Sequence, residues 1–132
     1  MTFTDEKDYI MRAIKEMVRV LFSFMFEKNN SGEIVELDSE YEVSGMKLSA
    51  LLEMIDKGEI NEAENLLLED IDYSEKEDVK AAALFYEYLS EKDEEFLTEH
   101  DFTKKEVLDG IKRLIKQAGY GNVIDIVEGI GL

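Results

Sequence analysis

From Asp5 to Glu27 the polar residues Asp8, Arg12, Lys15, Glu16, Arg19, Ser23 and Glu27 fall on one narrow strip when successive residues are placed at about 100° steps. Ile10, Met11, Ile14, Met17, Val18, Leu21, Phe22, Phe24 and Met25 cover well over half of the circumference. A helix this apolar has to be wrapped on two sides, so the rest of the chain must supply partners for it. The chain has 132 residues, the size of one domain with one core, for which folding hides roughly two-thirds of the surface an unfolded chain exposes. It contains no Pro and only eight Gly, so little forces a break in regular structure, and good helix formers (Glu, Leu, Lys, Met) dominate. The expected fold class is all-α.

Local signals divide the chain. "NNSG" (Asn29–Gly32) suits the left-handed backbone with which helices end. Residues 29–45 read as an acidic connection, although the alternation of Val35, Leu37, Tyr41 and Val43 also fits extended chain. A second helix is expected over 46–57, with Leu48, Leu51, Leu52 and Ile55 on one face and Gly58 as the residue that stops it. Asn61 and Glu64 have the spacing of a capping box, so a third helix should start at once and fold back antiparallel, with the small Ala63 letting the two backbones approach. The same spacing recurs at Ser74/Glu77 and at Thr103/Glu106, the latter with Phe102 and Val107 placed as a hydrophobic staple. These predict a fourth helix over 75–90, with Val79, Ala82, Ala83, Phe85, Tyr86 and Leu89 inward, and a fifth over 104–118, with Val107, Leu108, Ile111, Leu114 and Ile115 inward. Residues 121–130 form a short C-terminal turn. The expectation is a single domain over 1–132: five to six helices stacked as antiparallel hairpins, two of them within 46–118, with the first helix packed across the pairs.

"DYIMRAIKEM" (Asp8–Met17), "IDKGEINEAENLLLEDID" (Ile55–Asp72) and "ALFYEYLSEKDEEFLTEHDFTKKEVLDGI" (Ala83–Ile111) resemble a family of small, uncharacterised, mostly Firmicute bacterial proteins. That resemblance implies a helical fold and carries no functional residues with it. Leu51–Leu68 is also similar to a tetratricopeptide-type helical hairpin, where a small residue sits near the turn. It departs from that pattern in having no terminal Pro and no W-x-x-L-G-x-x-Y string, which leaves a repeat-like right-handed stack as the implied architecture.

The net charge is −17 and it is concentrated. Residues 29–101 hold 23 acids and five bases, net −18, while both flanking segments are close to neutral. Such a field repels nucleic-acid phosphates and anionic lipid and draws in basic proteins, over a Debye length of ~8 Å at physiological salt. The chain has no Cys, which removes disulfides, thiolate zinc sites and cysteine nucleophiles and fits a reducing compartment. The longest uncharged apolar run, 20–26, falls far short of the ~20 residues of a membrane span. Asp5, Glu6 and Asp8 occupy the place of a signal peptide's basic region. The expected address is the cytoplasm.

Candidate chemistry is sparse. His100 is the only histidine and lies between Glu99 and Asp101, but no Ser, Cys or second His stands in a recognisable arrangement with it, so a loop-to-helix packing role is expected. "DIDYSEKED" opens like a calcium loop and then has Glu75 where Gly is needed and Ala81 where a bidentate Glu is needed. No cofactor and no metal ligands are expected. Function is read as a non-catalytic protein-interaction or adaptor module. Its partner would be a protein, with Phe22, Phe24 and Met25 of the first helix, or a groove of Phe85, Tyr86 and Tyr88, as contact residues; Tyr88 is the tyrosine expected to stay free. Self-association through the first helix is the other use of that surface. The competing readings are an acidic mimic of nucleic acid that binds a basic DNA- or RNA-binding protein, and an enzyme centred on His100.

Overall fold

The computed structural model describes residues 5–26 and 42–129, with side chains from Tyr9 onward. Among them are seven helices and one short hairpin: α1 (Asp5–Met25), β1 (Glu42–Val43), β2 (Met46–Lys47), α2 (Leu48–Asp56), α3 (Ile60–Glu69), α4 (Lys76–Ser90), α5 (Glu94–Glu99), α6 (Lys104–Gln117) and α7 (Gly121–Gly129). The protein is all-α. The "NNSG" stop and the alternating residues 33–41 lie outside the described residues.

The demand made by the first helix is met by α4, α6 and α7, all of which pack on it. Ala13, Ile14, Met17, Val18, Leu21 and Met25 are buried as a result. α4 is the other central helix, touching α1, α2, α6 and β1. A helix approached from several directions needs small side chains on more than one face, and Ala81, Ala82 and Ala83 are all buried there. α2 packs on α3 and α4, so the α2–α3 pair is an annex seated on the central helix.

The corner between α2 and α3 is a complete Schellman motif. Gly58 takes φ +87°, its N–H donates to the Ile55 carbonyl at 2.9 Å, and the Glu59 N–H donates to the Met54 carbonyl at 2.9 Å. The end of α5 repeats the pattern without glycine: Asp101 holds φ 62°, with Asp101 N–H on the Thr98 carbonyl and Phe102 N–H on the Leu97 carbonyl.

The three expected capping boxes fare differently. At α6 the box forms in full, with Glu106 N–H donating to Thr103 Oγ1 at 3.1 Å and Thr103 N–H to Glu106 Oε1 at 2.9 Å, above a buried Phe102–Val107 staple. The other two are corrected. α3 starts at Ile60 with Glu59 as a cap that makes no side-chain bond; Ile60 is buried and draws the helix start ahead of Asn61. Ser74 lies in the turn before α4, its N–H and hydroxyl both donating to Asp72 Oδ1 (3.0 and 2.6 Å), and Glu75 is the cap. Replacing Thr103 with Ala should therefore cost about 1 kcal/mol in chemical denaturation, and Ser74→Ala less than half of that.

Further corrections concern residues 42–47, α5 and α7. The expected connection to residue 45 ends in an antiparallel hairpin, Glu42 opposite Lys47 and Val43 opposite Met46. Its turn residues Ser44 and Gly45 both have positive φ (55° and 78°), the signature of a tight type I′ turn. Ser44 is held there by its hydroxyl, which donates to the Leu67 carbonyl at 2.6 Å and accepts from Asp70 N–H at 3.1 Å, so the hairpin tip caps the end of α3. α2 consequently starts at Leu48. α5 was not anticipated; Asp93 caps it by accepting from Phe96 N–H at 2.8 Å. The expected turn over 121–130 is the helix α7.

Candidate functional site

The residues with the most chemistry meet where the Gly58 corner is seated on α4 and α5. His100 is the C-cap of α5. Its Nδ1 lies 2.8 Å from the Phe96 carbonyl, and since a carbonyl can only accept, Nδ1 carries the hydrogen and donates. The ring lies against Phe96, centroids 4.6 Å apart. On the other side it covers Gly58 so closely that a methyl group there would lie 2.3 Å from Nε2 and Cδ2. His100 therefore has the packing role expected of it, and the surface it packs on is the bare backbone of the corner.

Next to it, Asp56 Oδ1 accepts from the Tyr88 hydroxyl at 2.7 Å and from Lys92 Nζ at 2.6 Å. Lys92 also stands over two rings, 5.0 Å from the Tyr88 centroid and 5.3 Å from that of Phe96. The Lys92 hydrogen bond, then that of Tyr88, holds the Asp56 carboxyl below the usual carboxylate range; the bond to Asp56 raises Lys92 and is the main cause raising Tyr88. A carboxyl whose pKa is depressed by folding stabilises the protein above the ordinary carboxylate range and loses that contribution as pH falls through its folded value. Asp56→Asn should thus cost at most about 1 kcal/mol at neutral pH, because the Asp56 side chain is 48% exposed and its charge is screened. In acid, where the carboxyl is protonated folded and unfolded alike, the difference in denaturation midpoint between the two proteins should vanish.

Two more contacts fix the corner. Asn61 Nδ2 donates to the Asp101 carbonyl at 3.3 Å. Tyr86, only 1% exposed, donates its hydroxyl to Glu64 Oε2 at 2.7 Å. Burial, reinforced by the negative charge of Glu64, pushes the Tyr86 phenol far above its ordinary range and keeps it protonated. Its ring lies over Gly110 of α6, where an added methyl would sit 2.5 Å from Cε1.

The expected contact residues are divided by burial. Met25 (2% exposed), Phe85 (0%) and Tyr86 (1%) are core residues, so the anticipated groove of Phe85, Tyr86 and Tyr88 does not exist as a surface. Adjacent residues 85 and 86 can both be inside because α4 is packed from several directions. Tyr88 is half-buried and its hydroxyl is engaged by Asp56. Phe22 and Phe24 are half-buried on α1, Phe22 edge-on to Phe26 at 6.0 Å. Asp56, Lys92 and Phe96 were not anticipated: Tyr88 lies in α4, Lys92 in the link and Phe96 in α5, so no single helical period joins them.

Beside this junction runs an acidic face. Residues 59–78 carry nine acids and a single base, Lys76. Glu59, Glu62, Glu69, Asp70, Glu75 and Glu77 are exposed, and none of the six makes an ion pair among the described residues. Also among the described residues, no three His, Cys, Asp or Glu side chains stand where they could hold a metal ion, and no helix is long and apolar enough to cross a membrane.

A family model described as a family of unknown function (DUF6483) matches residues 4–119, which takes in everything from α1 to the end of α6 and leaves α7 outside. No curated protein and no solved structure matches the chain.

Proposed function

The chain belongs to the DUF6483 family, a family of unknown function, and from the geometry of its surface we propose that it is a non-catalytic interaction module whose partner is a basic protein held on the acidic face of α3 and the α3–α4 turn. The observation that carries the reading is the set of six exposed carboxylates from Glu59 to Glu77 without ion-pair partners among the described residues. An unneutralised face raises the local concentration of cationic surfaces and speeds their docking. The reactive side chains support the same reading: Tyr86 and Tyr88 are spent on hydrogen bonds between helices, and His100 on one that closes the end of α5. On this reading the α2–α3 pair acts as one tetratricopeptide-like hairpin, presented in the cytoplasm, and self-association through α1 is not needed.

The test is retention of proteins from lysate on the immobilised chain, with and without Glu62→Lys, Glu69→Lys, Glu75→Lys and Glu77→Lys together. The expected result is a set of basic proteins that is released by high salt and is not retained by the quadruple variant. Retention indifferent to both changes would overturn the reading and return attention to Phe22 and Phe24. A narrower form, imitation of nucleic-acid phosphate charge, is favoured by the one-sidedness of residues 59–78. It requires that DNA or RNA compete with this chain for the retained protein.

A further inference from the structure

We infer that Asp56, Tyr88 and Phe96 form a recognition site for a lysine ammonium group of the partner, and that Lys92 occupies this site in the free chain. The inference rests on the proposed docking of a basic protein and gives it a defined contact.

The resident lysine shows what the site accepts. A carboxylate oxygen lies 2.6 Å from Lys92 Nζ, and the Tyr88 and Phe96 rings stand 5.0 and 5.3 Å from it. One acceptor with aromatic faces around it is the arrangement by which proteins recognise ammonium groups. The rings are fixed independently of the cation. Tyr88 is positioned by its own bond to Asp56, and Phe96 by the His100 ring at 4.6 Å and by the turn in which its carbonyl accepts from His100. Without Lys92 the cage walls would keep their places, and Asp56 would keep one acceptor oxygen uncommitted to Tyr88.

The site can also be reached and emptied. Lys92 lies in the link between α4 and α5, with 26% of its side chain exposed against 48% for that of Asp56. Exposed ion pairs contribute little to stability, so exchanging one ammonium group for another disturbs the fold little. The site belongs to the stretch with net charge −18, which concentrates lysine-bearing partners around it. Lys92 acts as a resident competitor that sets a threshold: a partner that supplies its lysine at high local concentration, by docking on the acidic face, displaces it where a dilute ammonium group does not.

The test uses the full chain and a small probe, Nα-acetyl-lysine methylamide, followed by backbone and side-chain NMR. Lys92→Met removes the competitor and keeps a side chain of similar length. It should bind the probe at least tenfold more tightly than the wild type, with shifts at Asp56, Tyr88, Phe96 and His100, and the gain should disappear when Asp56→Asn is added. The same probe with its ε-amine acetylated should not bind. In the wild type, saturating probe should move the Lys92 side-chain ammonium signal, a readout that does not depend on a variant folding. Equal affinity in wild type and Lys92→Met, or shifts confined to Glu59–Glu77, would overturn the cage and leave the acidic-face reading standing. No shift at either place would also overturn the cage, while the acidic-face reading stands or falls on the lysate retention.

Discussion

Replacing Gly58 with alanine is expected to cost about 2–4 kcal/mol of stability, lowering the thermal midpoint by roughly 10 °C. Two independent penalties meet at this position. The first is conformational: φ +87° is a left-handed backbone that costs an L-residue with a side chain about 1–2 kcal/mol. The second is steric. The new methyl would lie 2.3 Å from His100 Cδ2 and Nε2, and the ring cannot swing away without breaking its bond to the Phe96 carbonyl and leaving the Phe96 face; overpacking of this kind costs about 1–3 kcal/mol. Against these, alanine restricts the unfolded chain and returns less than about 1 kcal/mol. The two penalties can be separated. With His100→Ala already present, Gly58→Ala should cost only its conformational part, about 1 kcal/mol, measured as a double-mutant cycle in urea. Gly58→Asn in the wild type should show the opposite division, because Asn tolerates the left-handed backbone and still meets the ring. A neutral Gly58→Ala would mean that the corner is not seated on His100.

The parts of this fold that could be read in advance are those decided within one or two turns of chain. The polar strip of α1, the Gly58 stop and the Thr103–Glu106 box need only residues three or four apart, and all three are found in place, the strip over its described residues Arg12 to Ser23. Asn61 and Ser74 carry the same local text as Thr103 and do not cap. Each lost to a competitor that the text does not rank: burial of Ile60 one residue earlier, and the Asp72 carboxylate two residues before Ser74. On α4 the inward placement of Phe85 and Tyr86 is found and the groove drawn from the same two residues is not, for a related reason. A period of 3.6 shows one face of a helix, whereas the number of helices that surround it is set by distant chain. The run of three alanines was the local trace of that crowding. His100 was legible as a packing residue, but not its seat on Gly58, since nothing near either residue refers to the other. The charge concentrated in residues 29–101 was plain from composition; that six of its carboxylates share an exposed stretch without ion pairs among the described residues needed coordinates.

Gly110→Ala should destabilise the protein by about 2–3 kcal/mol, although helix propensity alone argues for a gain. Gly110 lies inside α6, where alanine is worth about 1 kcal/mol more than glycine. Glycine is there because the Tyr86 ring of α4 rests on its backbone: a methyl would meet Cε1 at 2.5 Å and Cζ at 2.8 Å. Tyr86 is almost fully buried and has little room to retreat. Its ring stands edge-on to Phe85 at 5.4 Å, and its hydroxyl is committed to Glu64. Displacing the ring adds an overpacking penalty of about 1–3 kcal/mol. It also endangers a buried hydrogen bond whose loss costs about 1–3 kcal/mol, and together these exceed the propensity gain. The sign of the effect therefore depends on one ring. In a Tyr86→Leu background, itself less stable than the wild type, the methyl has space, and Gly110→Ala should become stabilising by up to about 1 kcal/mol. Tyr86→Phe keeps the ring and removes only the bond to Glu64, so Gly110→Ala should remain costly there. Denaturant midpoints for these single and double variants are sufficient. If Gly110→Ala has the same sign in the Tyr86→Leu and wild-type backgrounds, contact between α4 and α6 is not what requires glycine at position 110.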